Sequence, residues 1–164
     1  MSPARSSRRR LLGAVGVGAA AVLAGCNDVT GSDAPEYESG EVDEVDGEPR
    51  SAEEMTAAES LAEVEPNEGV TTLEALSLES HEFVLEDDYR GSTVQGVIEN
   101  TGENRIQMVE VRARVYDDEG EQLGRYIDVG GDLDAGGRWS FQVILLESPD
   151  DIADYDVAVI GTPS

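Results

Sequence analysis

The chain holds one thiol, Cys26, one imidazole, His81, and two compact carboxylate runs, Glu86-Asp87-Asp88 and Asp117-Asp118-Glu119. These are the side chains with which it can do chemistry. A single cysteine allows no disulfide and no cysteine-based metal cluster within one monomer. His81 stands beside Glu79 and Phe83 in an apolar-rich run, a rim or surface position, and Ser77, Ser80, Ser92 and Ser140 are the serines a Ser-His-Asp site would draw on. None of them stands in a G-x-S-x-G elbow. A type 1 copper centre needs a cysteine, a methionine and two histidines, a set the single histidine rules out. The carboxylate runs offer the oxygen ligands that suit Ca²⁺, yet neither has the D-x-[DN]-x-[DN]-G spacing of a calcium loop. Asp117, Asp118 and Glu119 are the metal candidates, set against a solvated acidic turn in which Asp117 accepts hydrogen bonds from the turn amides. No cofactor and no enzymatic activity is predicted.

Cys26 closes the run Leu23-Ala24-Gly25-Cys26, after an uncharged stretch from Leu11 to Gly25 that itself follows Ser7-Arg8-Arg9-Arg10. An arginine pair, a mildly apolar core and a small-residue cleavage site ending in cysteine resemble a twin-arginine export signal with a prokaryotic lipobox. The resemblance makes Cys26 the lipid attachment point and Arg8 and Arg9 the export signal. It also implies a two-chain diacylglyceryl group on the sulfur before cleavage after Gly25, which meets the need for two chains in stable anchoring. A cleaved signal without lipid and an uncleaved anchor are the other readings. A permanent transmembrane helix needs about 20 apolar residues, more than this stretch provides.

Thirty-six acidic residues face eleven arginines, and there is no lysine. The formal net charge is -25. Such self-repulsion disfavours a compact state, and at molar salt, where the Debye length is about 3 Å, it is largely screened. Acidic surface, absent lysine and twin-arginine export together resemble the proteins of salt-loving archaea; an ordinary acidic secreted protein is the alternative. Nucleic-acid binding is not expected, because nothing here neutralises a row of phosphates.

Three segments follow: a signal over 1–25, a lipidated cysteine with an acidic tether over 26–72, and a folded domain over 73–164. Residues 27–72 are rich in Glu, Asp, Ser, Gly and Pro, a composition that buries too little apolar surface to offset ordering. A flexible coil of that length reaches roughly 35–40 Å. Within it, Ser51 and Glu54 have capping-box spacing for a transient helix over 52–65, with a thin apolar stripe of Met55, Ala58, Leu61 and Ala62.

From Leu73 the pattern changes. Val109, Val111, Ala113 and Val115 alternate with Glu110, Arg112 and Arg114, the period of a strand buried on one face. Trp139-Phe141-Val143-Leu145 and Tyr155-Val157-Val159 repeat it, and 94–100 and 123–129 are further strands. In 76–85 the apolar parity shifts near Ser80, which predicts a bulge. Asp117-Asp118-Glu119-Gly120 reads as a hairpin turn with glycine in the left-handed position. Six to seven short strands in this spacing predict an all-β, immunoglobulin-like sandwich, with Trp139, Phe141, Phe83 and Tyr116 as its large core members. The domain over 73–164 is expected to fold alone; Arg112 and Arg114 share a strand face with Glu110 and are expected to form cross-strand ion pairs, an anion site being the alternative.

Val94-Gln95-Gly96-Val97-Ile98-Glu99-Asn100-Thr101-Gly102, then the strand and turn of 109–120, then Leu133-Asp134-Ala135-Gly136-Gly137-Arg138-Trp139-Ser140-Phe141, resemble the FxLYD-type domain of prokaryotic envelope proteins. At the naming motif Ala113, Val115, Tyr116 and Asp117 stand in the F, L, Y and D places, so two of four agree. The resemblance implies a fold rather than an activity. Together these features predict a lipid-anchored, cell-surface protein on the outer face of the cytoplasmic membrane, acting as a non-catalytic interaction or accessory module. Its expected partners are the membrane, the twin-arginine export machinery and a cell-envelope protein or ligand. A metal- or solute-binding accessory lipoprotein of an uptake system is the alternative.

Overall fold

The computed structural model describes residues 34–164. The elements in order are β1 (Tyr37–Glu41), α1 (Ala52–Ala62), β2 (Leu76–Leu85), β3 (Ser92–Asn100), β4 (Ile106–Tyr116), β5 (Gln122–Leu133), β6 (Arg138–Ile144), a short 3-10 helix (Pro149–Asp151) and β7 (Asp154–Pro163). The strands form two antiparallel sheets, ordered β1-β7-β4-β5 and β2-β3-β6. Four strands face three, the count of an immunoglobulin-like sandwich. The expected all-β architecture is therefore the one observed.

Alternation decides which faces meet. Val109, Val111, Ala113 and Val115 of β4 turn inward and are at most 1% exposed. They pack with Val94, Phe141 and Val143 from the opposite sheet. Trp139 lies half-buried against this core, its indole pressed on Gly130 of β5 so closely that a Cβ there would sit 2.7 Å from the ring. Phe83 also packs partly buried against the core. Tyr116 does not: it stands at an even position of β4, on the outer face with Arg112 and Arg114, and its hydroxyl donates to Asp156. The parity break in β2 appears as a register shift between Leu78 and Ser80, and the β4–β5 turn places Gly120 at φ +83°.

The part of the expected tether that is described, residues 34–72, is built onto the sandwich. β1 pairs with β7 from Tyr37↔Ala158 to Glu41↔Asp154, Thr71 bridges to Gly161, and Asn67 donates twice to Glu110. α1 forms with its predicted capping box, Ser51 N to Glu54 Oε2 and Glu54 N to Ser51 Oγ. Its Ala58 is fully buried, while Leu61 is exposed. The expectation of a free tether is corrected accordingly for residues 34–72, while residues 27–33 of that expected tether lie outside the described residues. Composition measures apolar surface, and here the ordering is offset largely by backbone pairing along the edge of β7 and by hydrogen bonds to charged groups. The signal over 1–25, with Arg8 and Arg9, and Cys26 lie outside the described residues. Among the described residues no helix is long and apolar enough to cross a membrane.

Candidate functional site

At one end of the sandwich the chain between β1 and α1 crosses the β2–β3 turn and the exit of β6, enclosing a cleft of about 310 Å³. Seven carboxylates and one guanidinium line it. The guanidinium belongs to Arg50, whose Nε donates to the Tyr89 carbonyl at 2.9 Å and whose Nη2 donates to the carbonyls of Leu145, at 2.8 Å, and Arg90. Gly91, at φ +54°, makes the close approach possible, because a Cβ there would lie 2.9 Å from Nε. Burial pulls the Arg50 pKa below its ordinary value, against the opposing charge of Glu147 and Glu54. The desolvated cation is thus held mainly by carbonyl dipoles, with the carboxylates around it.

Behind the arginine, Tyr126 donates to Glu147 Oε1 at 2.7 Å. Burial, reinforced by this carboxylate, pushes the Tyr126 phenol well above its usual range. Glu147 Oε2 and Ser92 Oγ are both shielded from solvent and have no hydrogen-bond partner among the described residues. Ser92 as a whole is 1% exposed, on the same face of β3 as Val94. Across the turn Arg90 pairs with Asp88 at 2.6 Å and Glu86 at 3.6 Å, so the outer carboxylates there are already partnered.

A second polar network lies on the outer face of the four-stranded sheet. Glu110 is fully buried, and its Oε1 accepts from Arg112 Nε at 2.5 Å while Oε2 accepts from Asn67 N and Nδ2 at 2.9 and 3.0 Å. Arg114 grips Asp156 of β7 with Nε and Nη2, at 2.8 and 2.5 Å, and its guanidinium lies 3.5 Å from the ring centroid of Tyr37 in β1. The expected cross-strand pair forms between Arg114 and Asp156 of β7, whereas Arg112 pairs with Glu110 along β4 itself rather than across strands. Their role is structural, since they fasten residues 37–67 to the sheet.

The remaining sequence candidates separate. Asp117 Oδ1 accepts from the amides of Glu119 and Glu121, at 2.9 and 2.8 Å, as a turn-forming aspartate does. The carboxylates of Asp117, Glu119 and Glu121 offer ligand atoms within 4.8 Å of one another, but Asp118 is not in that group. His81 is half-buried, its Nδ1 2.8 Å from Tyr155 Oη and its Nε2 3.8 Å from Glu38 of β1. Neither ring nitrogen is directed to a serine among the described residues. The cleft residues Arg50, Ser92 and Glu147 escaped the sequence reading as a group. One signal was present: Arg50 is the only arginine between Arg10 and Arg90, a lone guanidinium within an acidic run.

An uncharacterized protein of Methanocaldococcus jannaschii is 37% identical to this chain over 84 residues, which is 50% of this chain and 61% of the relative. The chain therefore matches less than two thirds of that relative's length. No family model matches it, and neither does any solved structure.

Proposed function

We propose that the protein is a lipid-anchored, non-catalytic interaction or accessory module, carried through the twin-arginine route and displayed on the outer face of the cytoplasmic membrane to meet a cell-envelope partner. The observation that carries this reading is Cys26, the only thiol, standing at the end of Leu23-Ala24-Gly25 behind Arg8-Arg9. The all-β domain supports it in one respect: residues 34–72 are folded onto the sandwich, so only residues 27–33 connect the lipid to the fold. Seven residues span at most about 25 Å. Extracellular display at high salt also suits the acidic composition.

The test is fractionation. Wild-type protein is expected in the membrane pellet after washing in high salt and in the detergent phase on partition, while Cys26→Ser is unprocessed or released. Loss of export in an Arg8→Lys, Arg9→Lys variant supports the twin-arginine route. Recovery of unlipidated wild-type protein from the medium overturns the anchor.

A further inference from the structure

We propose that the carbonyl cage now holding Arg50 is a binding site for small aliphatic guanidinium ligands, with residues 42–50 serving as a strap that fills the site from within and lifts when such a ligand enters. This goes beyond the anchoring reading and does not depend on it.

Three observations carry it. First, the site already holds a cation: the carbonyls of Tyr89, Arg90 and Leu145 converge on the Arg50 guanidinium, with Glu147 and Glu54 close enough to act on its charge. A planar fork of donors is what this arrangement of acceptors fits, and an external guanidinium presents the same fork. Secondly, the strap leaves polar groups unserved. Ser92 Oγ and Glu147 Oε2 are buried in the cleft wall without a partner, which is costly for a hydroxyl and more so for a carboxylate oxygen. A closed lid that satisfied its own site would pair them. Thirdly, the strap is lightly held. Between Glu41, the last residue of β1, and Ser51, which caps α1, its backbone makes no hydrogen bond among the described residues. Besides Arg50, it is held by Val42 packed against the core at its start and by Gly47 against Leu85 and Pro149.

A divalent cation fits less well. The group of three carboxylates with converging ligand atoms lies at Asp117, Glu119 and Glu121 and not in the cleft, whereas Ca²⁺ needs six to eight oxygens at about 2.3–2.6 Å. A guanidinium needs only separate acceptors in one plane. The cleft's apolar wall, including Leu85 and Met55, receives a short aliphatic tail.

The probe is ethylguanidinium, titrated into the folded protein at constant high ionic strength, with ethylurea as the neutral shape control and CaCl₂ as the metal control. Binding is read from the amide resonances of Gly91 and Ser92 and by calorimetry. Saturable binding of ethylguanidinium but not ethylurea is expected. Arg50→Ala, which removes the internal competitor, should tighten it by about tenfold or more, and Glu147→Gln, which keeps an acceptor for Tyr126 but removes the charge, should weaken it by about tenfold. Asp117→Asn should leave it unchanged. No saturation of the wild type below about 10 mM, equal binding of ethylurea, or an unaltered affinity in Glu147→Gln overturns the proposal. Glu147→Gln and the wild type decide the matter even if Arg50→Ala fails to fold.

Discussion

Removing the guanidinium of Arg112 should be among the most damaging single changes outside the apolar core. Glu110 is 0% exposed, and among the described residues the only charge facing it at hydrogen-bond distance is Arg112 Nε at 2.5 Å. Truncating one partner of a buried pair leaves an uncompensated charge and typically costs about 3–5 kcal/mol. The two hydrogen bonds from Asn67 remain in Arg112→Ala, which places the expected cost near the lower end, about 3 kcal/mol. For a folded unit of this size each kcal/mol moves the midpoint by roughly 3–5 °C, so Tm should fall by about 10 °C. Arg138→Ala is the control, because the Arg138–Glu99 pair is similarly short, at 2.8 Å, but its arginine side chain is 66% exposed. Exposed pairs contribute about 0–1 kcal/mol. Both variants are compared with wild type by circular dichroism melts at low and at molar salt. The Arg138 effect should vanish as screening shortens the Debye length, and the Arg112 effect should persist, since a buried pair is screened much less. Adding Glu110→Gln to Arg112→Ala should restore part of the loss, giving a coupling of at least about 1 kcal/mol in the double-mutant cycle. A fall in Tm for Arg112→Ala no larger than that of Arg138→Ala, or the absence of coupling, refutes the reasoning.

Deleting residues 34–48 should lower the melting temperature rather than leave it unchanged, because it strips β1 from β7 and removes the Tyr37 ring from Arg114; the cation–π contact alone is worth about 0.5–2 kcal/mol, and an unaltered melt would show that the segment adds nothing to the fold. Alkaline pH should expose Tyr155, whose phenol is pushed up to about 12, first by burial and then by the charge of Glu82. Its folded pKa lies above the unfolded value near 10, so the stability it contributes is fully present below about pH 10 and is lost as pH rises through the folded value. Tyr155→Phe should therefore melt with a flatter pH dependence across this window, and parallel curves for the two proteins would contradict the assignment.

The strands of the sandwich were legible in the sequence because each is a local pattern. Val109 to Val115 alternate, Asp117 to Gly120 carry turn chemistry, and the parity break at Ser80 announces the bulge; these follow from backbone geometry at short range and need no knowledge of neighbours. The capping box at Ser51 and Glu54 is equally local. The parts that escaped depend on what is brought from far along the chain. Glu110 looks like the solvent side of a half-buried strand, and it is buried because Asn67, 43 residues earlier, caps it. Residues 34–72 look too polar to order, and they order because β7 presents an unpaired edge and β4 presents charges in need of partners. Arg50 looks like an isolated basic residue, and it becomes the centre of a cleft because three carbonyls from two separate turns converge on it. The sequence thus determined the elements, whose hydrogen bonds and side-chain periods are set within a few residues. Only the tertiary structure decided which polar groups lose water, because desolvation is a property of the surroundings and not of the residue.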